Sequence, residues 1–182
     1  TSAVVIGVSL ILTGLGYESF CSANMVSKTG RCSTFSEEAD GFVRGEGCVG
    51  IVLEIYDESH EFVYGIIEST AVNNDGKSAS LTASRGPSQE LIQKEAMNRA
   101  GIHVDEIGYI ETHGTGFLTG DAIEVQAIAN VHKKRTNPLF LGSLKSNIGH
   151  LEAASGLASL VKVLLCLHHK QIPMNLHCDV IS

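Results

Sequence analysis

Apolar positions along this chain follow two periods, and the changes of period mark its elements. The run AVVIGVSLIL over residues 3–12 is nearly continuous and rich in β-branched residues, which predicts a buried strand. Residues 47–56 (GCVGIVLEIY) and 62–72 (FVYGIIESTAV) read as two more strands, adjacent in a sheet and joined by the polar turn 57–60. After the first strand, residues 13–34 are rich in Gly, Ser, Asn and Cys with weak periodicity, so only a short helix near residues 20–25 is expected there.

The spacing then becomes helical. Over residues 87–100 a proline occupies the first helical position, Leu91, Ile92, Ala96 and Ala100 share a face, and Gly101 stands where a helix stops. Short strands at 107–111 and 139–142 bracket a helix at 120–132 that begins at Asp121. In the last helix, 150–169, Leu151, Ala154, Ala158, Val161 and Leu165 repeat at three- and four-residue steps, and its small residues predict burial. Alternating strands and helices with short connections give a layered α/β class.

Composition narrows the picture. With 182 residues, 43% of them apolar and 18% charged, the chain has enough apolar mass for one sizeable core. A net charge of −7 argues against a nucleic-acid surface, since the one basic cluster, Lys133-Lys134-Arg135, reads as a solvated helix end. The five cysteines are odd in number and form no CxxC pair, so neither a disulfide framework nor a zinc site is signalled, and a reducing, cytoplasmic setting fits. The apolar run at 3–12 is too short for a membrane span and lacks the basic flank of a signal peptide.

Two segments share one layout, a short apolar strand followed by a glycine-rich loop with a histidine and then a helix. They are residues 109–124 (YIETHGTGFLTGDAIE) and 139–156 (LFLGSLKSNIGHLEAASG). Ligands of open α/β sheets sit beyond the carboxyl ends of strands, where both loops would lie, so His113 and His150 are expected to converge. Loop histidines suit acid, base or hydrogen-bond work, and glycines beside them allow close approach of a ligand.

These stretches resemble the β-ketoacyl synthases. Thr112-His-Gly-Thr-Gly116 with Gly120, Asp121 and Glu124 is similar to the first histidine motif of that family, and Lys145-Ser-Asn-Ile-Gly-His150-Leu-Glu-Ala-Ala to the second. Residues 30–35 (GRCSTF), 40–47 (DGFVRGEG), 73–76 (NNDG) and 153–156 (AASG) agree in order. The likeness covers essentially the whole chain and lies nearest the type I polyketide branch.

The resemblance implies a thiolase-like α/β/α/β/α fold, incomplete here: residues 1–60 would end the N-terminal half and 61–182 would form most of the C-terminal half. It implies an acyltransferase that condenses an acyl-cysteine with malonyl-carrier protein by decarboxylation. His113 and His150 would stabilise the enolate and Lys145 would complete the catalytic set. Glu152 is one possible carboxylate partner for Lys145, with a solvated surface pair as the alternative, and Asp121 would give structural support. Thr115 matches a contact to the pantetheine arm, and Phe117 replaces a usual threonine there. The partners implied are acyl carrier protein, malonyl and acyl thioesters and a second copy of the domain. No cofactor or metal is implied, the phosphopantetheine arriving on the carrier protein.

The family's nucleophile lies in a Thr-Ala-Cys-Ser-Ser context at a helix start. No such segment occurs here, and Cys21, Cys32, Cys48, Cys166 and Cys178 all read as small buried residues. The segment alone is therefore expected not to condense anything. Other readings are a fatty-acid synthase condensing domain, a non-catalytic condensing-like subunit, and, less consistent with the spacing, a metal hydrolase using His113, Asp121 and His150. His168, His169 and His177, at or beyond a helix end, read as structural.

Overall fold

The computed structural model describes residues 2–59, 61–78 and 84–182. The apolar opening run forms β1 (Ser2–Ser9), followed by α1 (Leu15–Ser22) and β2 (Gly47–Glu54). β1 and β2 pair antiparallel, from Ser2 opposite Glu54 to Ser9 opposite Gly47. The strand expected at the start of the chain is thus present, but it is not buried: Val4 is 68% and Ile6 63% exposed, because within this chain only its end near Gly7 is covered, by the backbone at Ala153 and Ala154.

Residues 62–72 form no strand, and β2 has β1 as its neighbour instead. β-branched residues favour extended backbone, yet a strand exists only where a ladder partner does, and this segment has none among the described residues. It is tied to helices by side chains, with Ser69 Oγ donating to the Ala96 carbonyl at 2.7 Å. Of the turn expected to precede it, His60 lies outside the described residues.

The second half follows its periodicity more closely. α2 (Gly86–Ala100) starts with proline in its first turn and stops at Gly101, which is left-handed at φ 69°. Its inner face is Ser88 and Met97, with Ile92 and Ala96 half-buried, whereas Leu91 points outward. β3 (Tyr109–Glu111) and β4 (Phe140–Gly142) pair in parallel, Tyr109 opposite Phe140, and α3 (Leu118–His132) connects them and packs on α2. α3 begins three residues before Asp121, with Phe117 as its N-cap.

The long terminal helix expected from residue 150 begins only at Ser155: α4 (Lys145–Ile148) is a single turn, and α5 runs from Ser155 to His169. Between them His150 pairs with Arg44 in a β-bridge, and Glu152, at φ 45°, opens a 3₁₀ turn to Ala154. The left-handed backbone at Glu152 interrupts what the apolar spacing alone would continue as helix. Leu151, Ala154 and Ala158 form a small core there, with Val49 and Leu144 against it. α5 buries only Ala158 and Lys162, and its outer end, Leu165 and Leu167, is exposed.

Of the cysteines only Cys32 is buried; Cys21 and Cys48 are exposed, and Cys166 and Cys178 half-buried. Lys133 and Lys134 are solvated at the end of α3, while Arg135 donates to the carbonyls of Val104, Asn137 and Pro138. His168 and His169 are exposed at the end of α5, and His177 accepts from Arg31 Nη1 at 3.1 Å. No helix among the described residues is long and apolar enough to cross a membrane.

Candidate active site

The carboxyl ends of β3 and β4 place the two histidine loops side by side. Thr112 continues the ladder, its N–H and hydroxyl both donating to the Gly142 carbonyl, at 2.8 and 3.0 Å. His113 follows at once, so its backbone direction is set by the sheet. Its N–H and that of Gly114 donate to the two oxygens of Glu124, at 2.8 and 2.9 Å. Gly114 must be glycine: its φ is 40°, and a Cβ there would lie 2.6 Å from Thr34 and 2.7 Å from Ser143. The Thr34 hydroxyl closes the turn by donating to the Gly114 carbonyl at 2.6 Å.

His150 enters from the second loop, its N–H on the Val43 carbonyl at 2.7 Å and its carbonyl taking the Gly45 N–H at 2.9 Å. The rings of His113 and His150 meet edge to face, centroids 5.6 Å apart, and Phe42 stands edge-on to His150 at 5.4 Å. The His150 tautomer follows from its partners. Nδ1 lies 2.9 Å from the Glu152 N–H, an obligate donor, so the proton of the neutral ring sits on Nε2. The Ser155 hydroxyl, 2.8 Å from the same Nδ1, acts as a second donor.

Both rings have lowered pKa values. Burial, then the positive charge of Lys145 and the presence of a second titratable ring, His113, pushes His150 down to about 4, against the opposing pull of Glu152. His113 is lowered by burial and by Lys145, with Glu124 opposing. Lys145 therefore lies within electrostatic reach of both imidazoles. Its side chain is buried, which lowers its own pKa, while Glu124, Glu111, Cys32 and Asp121 act on it. The partner expected for it, Glu152, pairs instead with Arg44, Nε to Oε1 at 2.5 Å and Nη2 to Oε2 at 3.2 Å. Arg44 reaches Glu152 because its own strand segment bridges to His150, two residues away.

Asp121 is buried beneath the first loop, where its Oδ2 accepts the N–H of Phe35 at 3.0 Å and of Gly116 at 3.2 Å. Desolvation raises its pKa to about 6 against those donors, which leaves it ionised at neutral pH. The donors that meet its Oδ2 are backbone N–H groups. Among the described residues no group of three His, Cys, Asp or Glu is placed to hold an ion. Thr115 is buried on the same loop, and Phe117, beyond it, is exposed.

Two acids to which the sequence assigns no role carry much of this geometry. One is Glu124, which holds the His113 backbone; its place in the first motif was the available signal. The other is Glu111, whose Oε1 accepts the Leu144 N–H at 2.6 Å and whose Oε2 pairs with buried Lys162 at 2.7 Å and takes the Tyr109 hydroxyl at 2.5 Å. An acid ending a short strand gave no signal of its own.

Comparison with known proteins bears directly on this pair of loops. Residues 64–179, which contain both, match the model of the β-ketoacyl synthase C-terminal domain, and residues 1–59 match that of the N-terminal domain. The chain belongs to the β-ketoacyl synthase family. Within it, the relatives are ketosynthases of type I polyketide synthases. Polyketide synthase PksL of Bacillus subtilis is 42% identical over 93% of this chain and 4% of its own length. Erythronolide synthase EryA2 of Saccharopolyspora erythraea is 39% identical over 97% of this chain and 5% of its own.

Among solved structures, the ketosynthase from module 6 of the bacillaene synthase from Bacillus subtilis superposes with a TM-score of 0.95 at 40% identity, over 99% of this chain and 34% of that one. An oxazolomycin ketosynthase domain of Streptomyces albus gives 0.94 at 33% identity, over all of this chain and 32% of that one. The β-ketoacyl synthase chain described here thus spans about a third of those ketosynthases and has their thiolase-like fold in part.

Proposed function

We propose that this chain supplies the enolate-stabilising side of a decarboxylative Claisen condensation in polyketide synthesis. Malonyl-carrier protein loses carbon dioxide as its C–C bond breaks, and the electron pair passes to the thioester as an enolate. The enolate carbon then attacks an acyl thioester, forming the new C–C bond and releasing the cysteine thiolate that held the acyl group. Negative charge gathers on one oxygen during decarboxylation, and neutral imidazole N–H groups aimed at it lower the barrier.

The observation that carries this reading is the hydrogen bond from the Glu152 N–H to His150 Nδ1, which leaves Nε2–H free to donate beside the His113 ring. A charged imidazole would give up its proton to an enolate rather than merely stabilise it, so the lowered pKa values of both rings suit the task. Lys145 contributes the field that keeps them neutral. Thr115 and Phe117 border the path of the pantetheine arm, and Asp121 and Glu152 are supports.

The nucleophilic cysteine belongs, in this reading, to a part of the domain outside this chain. Burial raises the Cys32 thiol, which suits packing rather than attack. Carrier-bound malonyl and acyl thioesters are the substrates, with no further cofactor, in a cytoplasmic, homodimeric domain whose halves divide near residue 60; this segment alone does not condense. The polyketide names of the relatives favour that pathway over fatty-acid synthesis.

The test is malonyl-carrier decarboxylation by the complete ketosynthase domain carrying this chain. His113→Ala or His150→Ala is expected to cut the rate by about a hundredfold or more. Retention of the parent rate by both variants would leave the histidines with a structural role only.

A further inference from the structure

His150 owes its tautomer to one backbone N–H, and that N–H belongs to a residue in an uncommon conformation. Glu152 has φ 45°, a left-handed backbone that a residue with a Cβ adopts only when its surroundings impose it. Its N–H, aimed by the preceding Leu151 backbone at φ −83° and ψ 15°, meets His150 Nδ1 two residues earlier at 2.9 Å, and the left-handed turn carries the chain onward from that contact. Something must hold it there.

The Glu152 side chain is held by a bidentate pair with Arg44, at 2.5 and 3.2 Å, in which the arginine side chain is 10% and the glutamate 31% exposed. Bidentate arginine–carboxylate pairs fix orientation as well as distance. Arg44 is itself braced from both directions. Its guanidinium lies over the rings of Tyr17 and Phe20 from α1, 5.3 and 5.5 Å from their centroids, and its backbone bridges to His150. Gly16 lets it lie so close to α1, since a Cβ there would sit 2.5 Å from Arg44 Nη1.

We propose that Arg44 and Glu152 are positioning residues that hold the His150 ring in its Nε2–H tautomer, by locking the left-handed turn whose N–H caps Nδ1. This extends the reading of His150 as an enolate donor and rests on it for its catalytic consequence. The charged or titratable groups acting on the ring are Lys145, His113 and Glu152. Neither member of the clamp touches the reacting atoms.

The test uses the complete ketosynthase domain with ring-¹⁵N histidine, the His150 signals being identified by their loss in His150→Gln. The parent is expected to show an unprotonated Nδ1 and a protonated Nε2. Arg44→Met should mix the two tautomers and slow malonyl-carrier decarboxylation by roughly ten- to a hundredfold. Adding Glu152→Gly to Arg44→Met should recover most of both losses, because glycine adopts the left-handed turn without strain and keeps the N–H. A merely structural clamp would not be rescued by deleting its other half.

Glu152→Gln, which preserves size and weakens the pair, is expected to shift the signals partway and serves if Arg44→Met does not fold. An unchanged His150 tautomer in whichever of these two folds overturns the proposal, and so does a loss that Glu152→Gly fails to rescue. If His150→Gln leaves decarboxylation intact, the enolate role falls, while the ring signals still report on the clamp.

Discussion

Glu124, two turns into α3, accepts the backbone N–H of His113 at 2.8 Å with one carboxylate oxygen and gives its other oxygen to the next N–H, that of Gly114, at 2.9 Å. The histidine is held by its main chain, so its ring is free to face a substrate. Glu124→Ala would leave two N–H groups without their acceptor, each loss costing about 1–3 kcal/mol if water does not replace it. The expected outcome is a lower melting temperature of the ketosynthase domain and a decarboxylation kcat reduced more than KM changes, since the displaced imidazole acts in the transition state. Glu124→Gln, with one acceptor oxygen in place of two, should fall between. A KM effect alone would place Glu124 in substrate binding.

How much of this arrangement the sequence reveals depends on the range of the contacts involved. α2 and α3 are legible because their caps and apolar spacing are local: Pro87 begins one and Gly101 ends it. The histidine pair is legible because each ring lies in a compact motif directly after a strand. Segment 62–72 is not, because extended backbone becomes a strand only with a partner that no local pattern names. The start of α5 is misread for a related reason. Apolar spacing continues through residues 150–154, but Arg44, 108 positions away from Glu152, imposes a turn there. Arg44 and Lys162 acquire their meaning only through such distant carboxylates.

Beneath the second loop, Lys162 and Glu111 form an ion pair at 2.7 Å, with 7% and 6% of their side chains exposed. Tyr109 closes the group: its hydroxyl donates to Glu111 and accepts from Lys162 at 2.9 Å, and burial followed by Glu111 raises its pKa. Removing one partner of a buried pair costs far more than the pair is worth, because the other charge stays desolvated. Lys162→Met should therefore destabilise the domain by about 3–5 kcal/mol, read as a shift of the denaturant midpoint. Lys162→Met with Glu111→Gln should regain part of that loss. A double variant no more stable than Lys162→Met alone would mean that the Glu111 hydrogen bonds to Leu144 and Tyr109, rather than its charge, dominate.

Acid dependence follows from the His150 environment. The working ring is neutral, and burial with Lys145 and His113 lowers its pKa to about 4, so at pH 5 about nine-tenths of it still carries no charge. The His150 contribution to single-turnover decarboxylation is expected to hold to about pH 5 and to fall as pH approaches 4, and the overall acid limb, set by whichever ring protonates first, should lie below the ordinary histidine midpoint near 6.5. Lys145→Met removes a positive charge that opposes protonation, so its acid limb should move to higher pH. Stability changes in the same window. Between about 6.5 and 4 the unfolded chain takes up a proton that the native ring refuses, and His150 thus destabilises the fold progressively as pH falls. Asp121, raised to about 6, works in the opposite sense: between about 6 and 4 its native carboxyl binds the proton more tightly than the unfolded one, which offsets part of the loss. Asp121→Asn should accordingly steepen the loss of stability with acid while leaving the position of the kinetic limb to the two histidines. A limb that stays near 6.5 in the parent would mean that neither burial nor Lys145 controls the ring.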